Sequence, residues 1–380
     1  VAGGTSPGYG RQGDRSMKPH YFFSSATRCS DLWLSPFDTR ALEREHWATG
    51  DFVVGRIAGE RNRLYHCETK TGRMADMVRD DLMVGALGRR AATLEGVGDW
   101  QATGPDLELE ALTSAGLLGK STSISPMFPN LMRMRYLGHV MRGGEKVCMQ
   151  DFVRPEQPRQ LDIPVILLIG TSMSSGKTTS GRLIIRALKY MGIDVAAAKL
   201  TGSARYRDIL QFRDAGASYV VDFVDAGLPS TVCHEDHYRK AFDLMISKIA
   251  IRKPQVLVAE SGASPLEPYN GATVVKELSD KTCFSVLCAS DPYAVLGVKN
   301  AFGNDLKASI VSGPAANTSA AVELVRELCG LESLNLIDRR NYPVLCRKLK
   351  DALALGDQDI APEALEYMNE NAPERASWYP

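Results

Sequence analysis

The chain has 380 residues, 44% hydrophobic and 24% charged, and its 45 basic and 45 acidic side chains cancel to a formal net charge of zero. That length is ample for a sizeable core and two domains, and the balanced charge offers no basic field for a nucleic acid or an anionic membrane. No apolar run reaches the roughly 20 residues that span a bilayer, and the opening VAGGTSPGYGRQGDRS lacks the apolar core of a signal peptide, so a cytoplasmic protein is expected.

Taken in chain order, residues 1–20 are rich in Gly, Ser, Arg and Pro and are expected to be mobile. Residues 21–157 carry short strand-like pieces, DFVVGRIAG, RLYHCET, DLMVGALG and EKVCMQDFV, which predict a β-rich domain, with 107–134 more loop-like. Three prolines among the charged residues of RPEQPRQLDIP, 154–164, interrupt every pattern and set the boundary. From 158 to 356, apolar runs at 165–169, 195–198, 219–223, 256–259, 284–288 and 308–311 alternate with helix-period segments such as GRLIIRALKYM. This rhythm predicts an α/β fold, a doubly wound and mostly parallel sheet, with the smaller β-rich domain before it and a tail over 357–380. The eight cysteines contain no CxxC pair and are expected as reduced thiols, most of them small core residues.

The stretch after the first run of that sheet is GTSMSSGKTT: Gly170, Thr171, Ser172, Met173, Ser174, Ser175, Gly176, Lys177, Thr178 and Thr179. A small-residue loop between a buried strand and a helix aims successive N–H groups at phosphate oxygens. Lys177 is then suited to the terminal phosphates and Thr178 to Mg²⁺. The spacing is G-x5-GK rather than the common G-x4-GK, which alters the curl of the loop and keeps its amides and lysine.

With that spacing, GTSMSSGKTT resembles the loop of dethiobiotin synthetase and of the cobyrinic and cobyric acid amide synthetases, members of the SIMIBI class of P-loop proteins. The resemblance covers roughly residues 164–328 and extends to two further strand ends, Lys199 in VAAAKLTGS and Glu260 in VLVAESGAS. It implies ATP and Mg²⁺ as cofactors, with Lys199 facing the substrate or the transferring phosphoryl group. The chain departs from it in lacking the proline after Lys199, so a different substrate is expected. No glutamine-amidotransferase segment is evident after Leu328, which argues against amide synthesis. No NKxD follows VLCAS, which tilts the base towards adenine; Asn317 in PAAN is either a base contact or a helix cap.

Carboxylates at or near strand ends, Asp208, Asp222 and Glu260, are candidates for the Mg²⁺ shell beside Thr178, and each has the alternative of a cap or a solvated loop residue. Cys233 and His237 stand one helical turn apart in VCHEDHY, a spacing open to a metal, although acidic residues at a helix start are also what the helix dipole favours. His66, His139 and the pair Arg89 and Arg90 are available for binding in the N-terminal domain. The expected activity is ATP- and Mg²⁺-dependent phosphorylation or activation of a small anionic molecule, a kinase or a ligase. Lys177, Lys199 and Glu260 would be its catalytic residues, and a homodimer is left open. The alternative is a SIMIBI-type nucleotide-driven switch or maturation factor whose N-terminal domain docks a protein partner.

Overall fold

In the computed structural model, which describes residues 20–59, 65–302 and 308–371, the N-terminal half is built from strands whose successive side chains point to opposite faces. Strands Leu82–Leu87, Phe52–Ile57, Met132–Arg142, Glu108–Ala111 and Leu117–Ile124 pair in that order. Leu117–Ile124 then pairs back with Leu82–Leu87, which closes a small barrel. Val53, Ile57, Met83, Leu87, Leu109 and Met134 fill its interior. The alternate residues Phe52, Val54, Val84 and Ala86 lie on the outside, where they join a core shared with the second half of the chain. Residues 52–54 are therefore covered on both faces, and FVV reads as an unbroken apolar run. The expectation of a loop-like 107–134 is overturned. Three strands run through it, and its small residues mark close approach: a Cβ on Gly119 would lie 2.8 Å from the Trp100 nitrogen.

Residues 154–164 cross to the second half without regular secondary structure. There, six parallel strands lie in the order Tyr219–Asp222, Val195–Thr201, Val256–Ser261, Val165–Gly170, Thr282–Cys288 and Ile310–Ser312 among the described residues. Ile166, Leu168 and Val258 face helices Lys177–Tyr190, Tyr206–Asp214 and Tyr342–Ala352. Leu167, Ile169 and Leu257 face Glu235–Arg252, Gly271–Glu277 and Pro292–Phe302. Helices on both faces are the doubly wound arrangement expected. Val256–Ser261 lies between the Lys199 strand and Val165–Gly170, so Lys199 ends a strand one removed from the one that leads into the Gly170–Thr179 loop.

Residues set apart in sequence as a tail contain the helix Pro362–Glu370, whose Ala364 and Met368 are buried in the same cluster as Ile184 and Leu188. Residues 1–19 and 372–380 lie outside the described residues. All eight cysteines are free, four of them buried.

Candidate active site

The apolar strand Val165–Gly170 delivers the chain to the loop, and helix Lys177–Tyr190 begins at its end. Gly176 has φ 101°, a conformation that favours glycine. A side chain on Gly170 would occupy the space taken by the Lys177 ammonium. That ammonium donates to the Ser172 carbonyl at 2.7 Å and to Ser175 Oγ at 3.4 Å, so the loop curls around its own lysine. Burial pushes the Lys177 pKa down, with Glu260 opposing. Thr171 ties the loop to the next strand, its N–H donating to the Cys288 carbonyl at 3.0 Å and its hydroxyl accepting from the Ser290 N–H at 3.2 Å.

Thr178 Oγ1 donates to Glu260 Oε2 at 3.0 Å, which brings together the hydroxyl and the carboxylate expected around Mg²⁺. Lys199 donates to Asp208 Oδ2 at 2.5 Å and to the Ser203 carbonyl at 3.2 Å. Burial opposes the charge on Lys199, but Asp208 and Glu260 outweigh it and hold its pKa up. Burial, with Asp208 adding to it, raises the pKa of Glu260 against the pull of Lys199 and Lys177. The donor set fits Mg²⁺, which takes one or two carboxylates, a hydroxyl and phosphate oxygens rather than a protein cage. No cluster of three or more metal-ligating side chains occurs among the described residues.

Several candidates fall elsewhere. Asp222 is fully buried, its Oδ1 ion-paired with Arg28 at 2.5 Å and accepting from the Val224 N–H, and it does not line the cavity above the loop. His139 is buried between the Tyr136 hydroxyl at 2.6 Å and Asp51 at 3.2 Å, a core network with no access to ligand. His234 accepts from the Asp236 N–H as the cap of helix Glu235–Arg252, and no metal group forms around Cys233 and His237. The cap of helix Ser319–Cys329 is Thr318, not Asn317; Asn317 is exposed and follows the turn whose Gly313 packs against Gly176.

Above the loop lies a cavity of about 570 Å³. Its floor includes Ser174, Lys177, Thr178, Lys199, Asp208 and Glu260, and its roof, from the barrel side, includes His66, Arg90, Glu95 and Phe128. The hairpin of Arg89–Ala92 and Gly96–Asp99 extends from the barrel strand Leu117–Ile124 and carries two of these roof residues. Specific bonds hold roof to floor. Glu68, on the separate hairpin of His66–Glu68 and Met74–Asp76, accepts from the N–H groups of Tyr206 and Arg207 at 3.1 and 2.6 Å and so caps the helix that carries Asp208. The Tyr269 hydroxyl accepts from the Ala91 N–H at 2.8 Å, and Glu267 accepts from the Thr93 N–H at 3.0 Å. Of these residues only His66 and Arg90 stood out in sequence. Glu68 and Glu95 carry no local pattern for the loop side, since their contacts to Tyr206, Arg207 and Ser174 exist only across the two halves.

No family model matches the chain, and no curated protein matches it. Among solved structures, the signal recognition particle receptor FtsY from Elizabethkingia anophelis is 16% identical, covering 48% of this chain and 59% of that one at a TM-score of 0.32. The hydrogenase maturation factor HypB from Archaeoglobus fulgidus is 13% identical, covering 50% and 90% at 0.34. A DUF1611 family protein from Anabaena variabilis is 16% identical, covering 53% and 62% at 0.34. Likeness at this level gives neither a family nor a residue role. Among the described residues no helix is long and apolar enough to cross a membrane.

Proposed function

We propose that the chain is an ATP- and Mg²⁺-dependent enzyme of the SIMIBI type that transfers a phosphoryl group to a small anionic molecule, as a kinase or as the first step of a ligase. The observation that carries this reading is a single cavity, about 570 Å³, shared by the phosphate loop, Lys199 and a roof from the chain's own barrel. That volume suits a small-molecule site. Nucleotide and metal supply the transferable group and neutralise its charge.

The chain's residues divide the work. Amides of 171–176 cradle phosphate, Lys177 holds its terminal oxygens, and Thr178 and Glu260 hold the cation, with Asp208 in reserve through water. The Lys199 ammonium, kept charged by Asp208, neutralises negative charge growing on the transferred group. Asn317, exposed after the turn that packs against Gly176, is our candidate contact for the base. The switch reading retains one observation: Leu94 and Leu266 flank the Thr93–Glu267 contact and are 65% and 61% exposed, an apolar rim that a partner protein would cover.

Lys177→Ala tests the assignment. Because the buried ammonium is disfavoured in the ligand-free fold, the variant should melt no lower than the parent, while calorimetry with ATP and Mg²⁺ should show affinity weakened about a hundredfold or more. Unchanged affinity removes the loop from the site. ADP formation stimulated by small anions supports the enzyme, whereas stimulation by a protein partner alone supports the switch.

A further inference from the structure

Glu95 lies in the cavity roof, and its carboxylate joins two groups from opposite halves of the chain. One oxygen pairs with the Arg90 guanidinium; the other accepts from the hydroxyl of Ser174 in the phosphate loop, at 3.3 Å. A negative side chain against the loop that must receive phosphate is a poor companion for that ligand unless it can give way.

Arg90 is 7% exposed, yet it is not a saturated core residue. One terminal nitrogen donates to the Leu112 carbonyl at 2.8 Å, and the guanidinium lies 5.3 Å from the centre of the Phe128 ring. Its Nε is buried without a hydrogen-bond partner. A guanidinium so placed can donate two parallel hydrogen bonds to one oxyanion. Glu95 is less constrained, its side chain 23% exposed on the turn of the hairpin.

We propose that Arg90 and Ser174 form an oxyanion subsite on the roof side of the cavity, filled in the ligand-free chain by the carboxylate of Glu95 and taken over by an anionic group of the ligand. A carboxylate and a phosphoryl group present paired oxygens at similar spacing, so either satisfies the same two donors. When the ligand arrives, Glu95 swings to solvent, and Arg90 passes from it to the incoming anion. Barrel and phosphate loop are thereby joined through the ligand instead of through Glu95. The anion has two possible sources, the terminal phosphate of the nucleotide or the acidic group of the second substrate. The inference rests on the phosphate-loop reading given above.

Glu95→Gln keeps the size of the side chain and removes the competing charge, at a turn position whose side chain is 23% exposed. Calorimetry on the full chain with Mg²⁺ would use ADP, the imido analogue of ATP, and inorganic phosphate added to the analogue complex. If the anion is the terminal phosphate, Glu95→Gln binds the analogue about tenfold more tightly and ADP as before, the scale of one partly screened charge. If it is the acidic group of the second substrate, nucleotide affinities are unchanged, and inorganic phosphate binds the analogue complex about tenfold more tightly. Arg90→Gln should reverse whichever gain is seen when combined with Glu95→Gln. A Glu95→Gln chain that binds all three probes like the parent overturns the subsite, as does a gain that survives Arg90→Gln. Failure of the parent to bind ADP at all would instead remove the phosphate-loop reading beneath it.

Discussion

Replacing Lys199 with Met deletes an ammonium and keeps the aliphatic stem, which makes it the sharpest probe of the cavity floor. Lys199 is 5% exposed, and its partner Asp208, 2.5 Å away, has a side chain 16% exposed. Breaking a fully buried pair from one side costs ~3–5 kcal/mol. Asp208 borders a wet cavity and can rehydrate, so about 2 kcal/mol is expected here. A double-mutant cycle with Asp208→Asn, read by chemical denaturation, should return a coupling of about that size, since the two side chains touch directly. Asp208 and Glu260 hold the Lys199 pKa above its ordinary 10.5 against burial, so the pair's contribution is complete below 10.5 and is lost only as pH rises through the higher folded value. The difference between parent and variant should therefore be flat across the neutral range. Turnover should fall about a hundredfold, the scale seen when a preorganised charge is removed, with ATP affinity retained because Lys199 ends a strand one removed from the loop. Near-normal turnover together with no coupling to Asp208 would refute the electrostatic role.

Glu260 is held above its ordinary 4.5, chiefly by burial. Between 4.5 and that raised value the folded chain binds more protons than the unfolded one, and stability falls as pH rises through the window. Ligand-free Glu260→Gln should thus melt higher than the parent at neutral pH, with the gain fading towards 4.5, while needing more Mg²⁺ for half-maximal turnover. A lower melting temperature with unchanged Mg²⁺ dependence would make Glu260 structural. Arg28→Met strands Asp222, whose side chain is 0% exposed, and should cost ~3–5 kcal/mol. Adding Asp222→Asn should recover most of this loss, and no recovery in thermal melts would mean that Arg28 acts through packing on Tyr206 instead. Thermal shift with Mg²⁺ should favour ATP over GTP, because Asp291 after the Thr282–Cys288 strand caps the Ala294 N–H and offers no guanine-reading motif. A clear preference for GTP would promote the switch reading.

The sequence by itself determined the second half of the chain. Runs such as VILLIG and VLVA are apolar because their strands are covered on both faces, and their alternation with helix-period segments is what a parallel sheet between helices imposes. The loop was legible for a similar reason: strand, glycines, lysine, hydroxyl and helix are contiguous, so the chemistry of Lys177 and Thr178 is local. Lys199 and Glu260 were legible as strand ends, since a parallel sheet gathers its carboxyl ends at one edge. Tertiary structure decided what depends on pairs distant in the chain. Asp222 and Asp208 look alike in sequence, and only the position of Arg28, 194 residues from Asp222, separates a core ion pair from a site residue. Two barrel strands, Phe52–Ile57 and Leu82–Leu87, were legible in DFVVGRIAG and DLMVGALG; the strands within 107–134 were not, nor was the barrel, because closure by Leu117–Ile124 onto Leu82–Leu87 leaves no periodic trace. The roof followed from that closure. Glu68 meets the N–H groups of Tyr206 and Arg207, and Glu95 the hydroxyl of Ser174, only when the two halves pack together, because hydrogen bonds and ion pairs act over a few ångströms of space, whatever the distance along the chain.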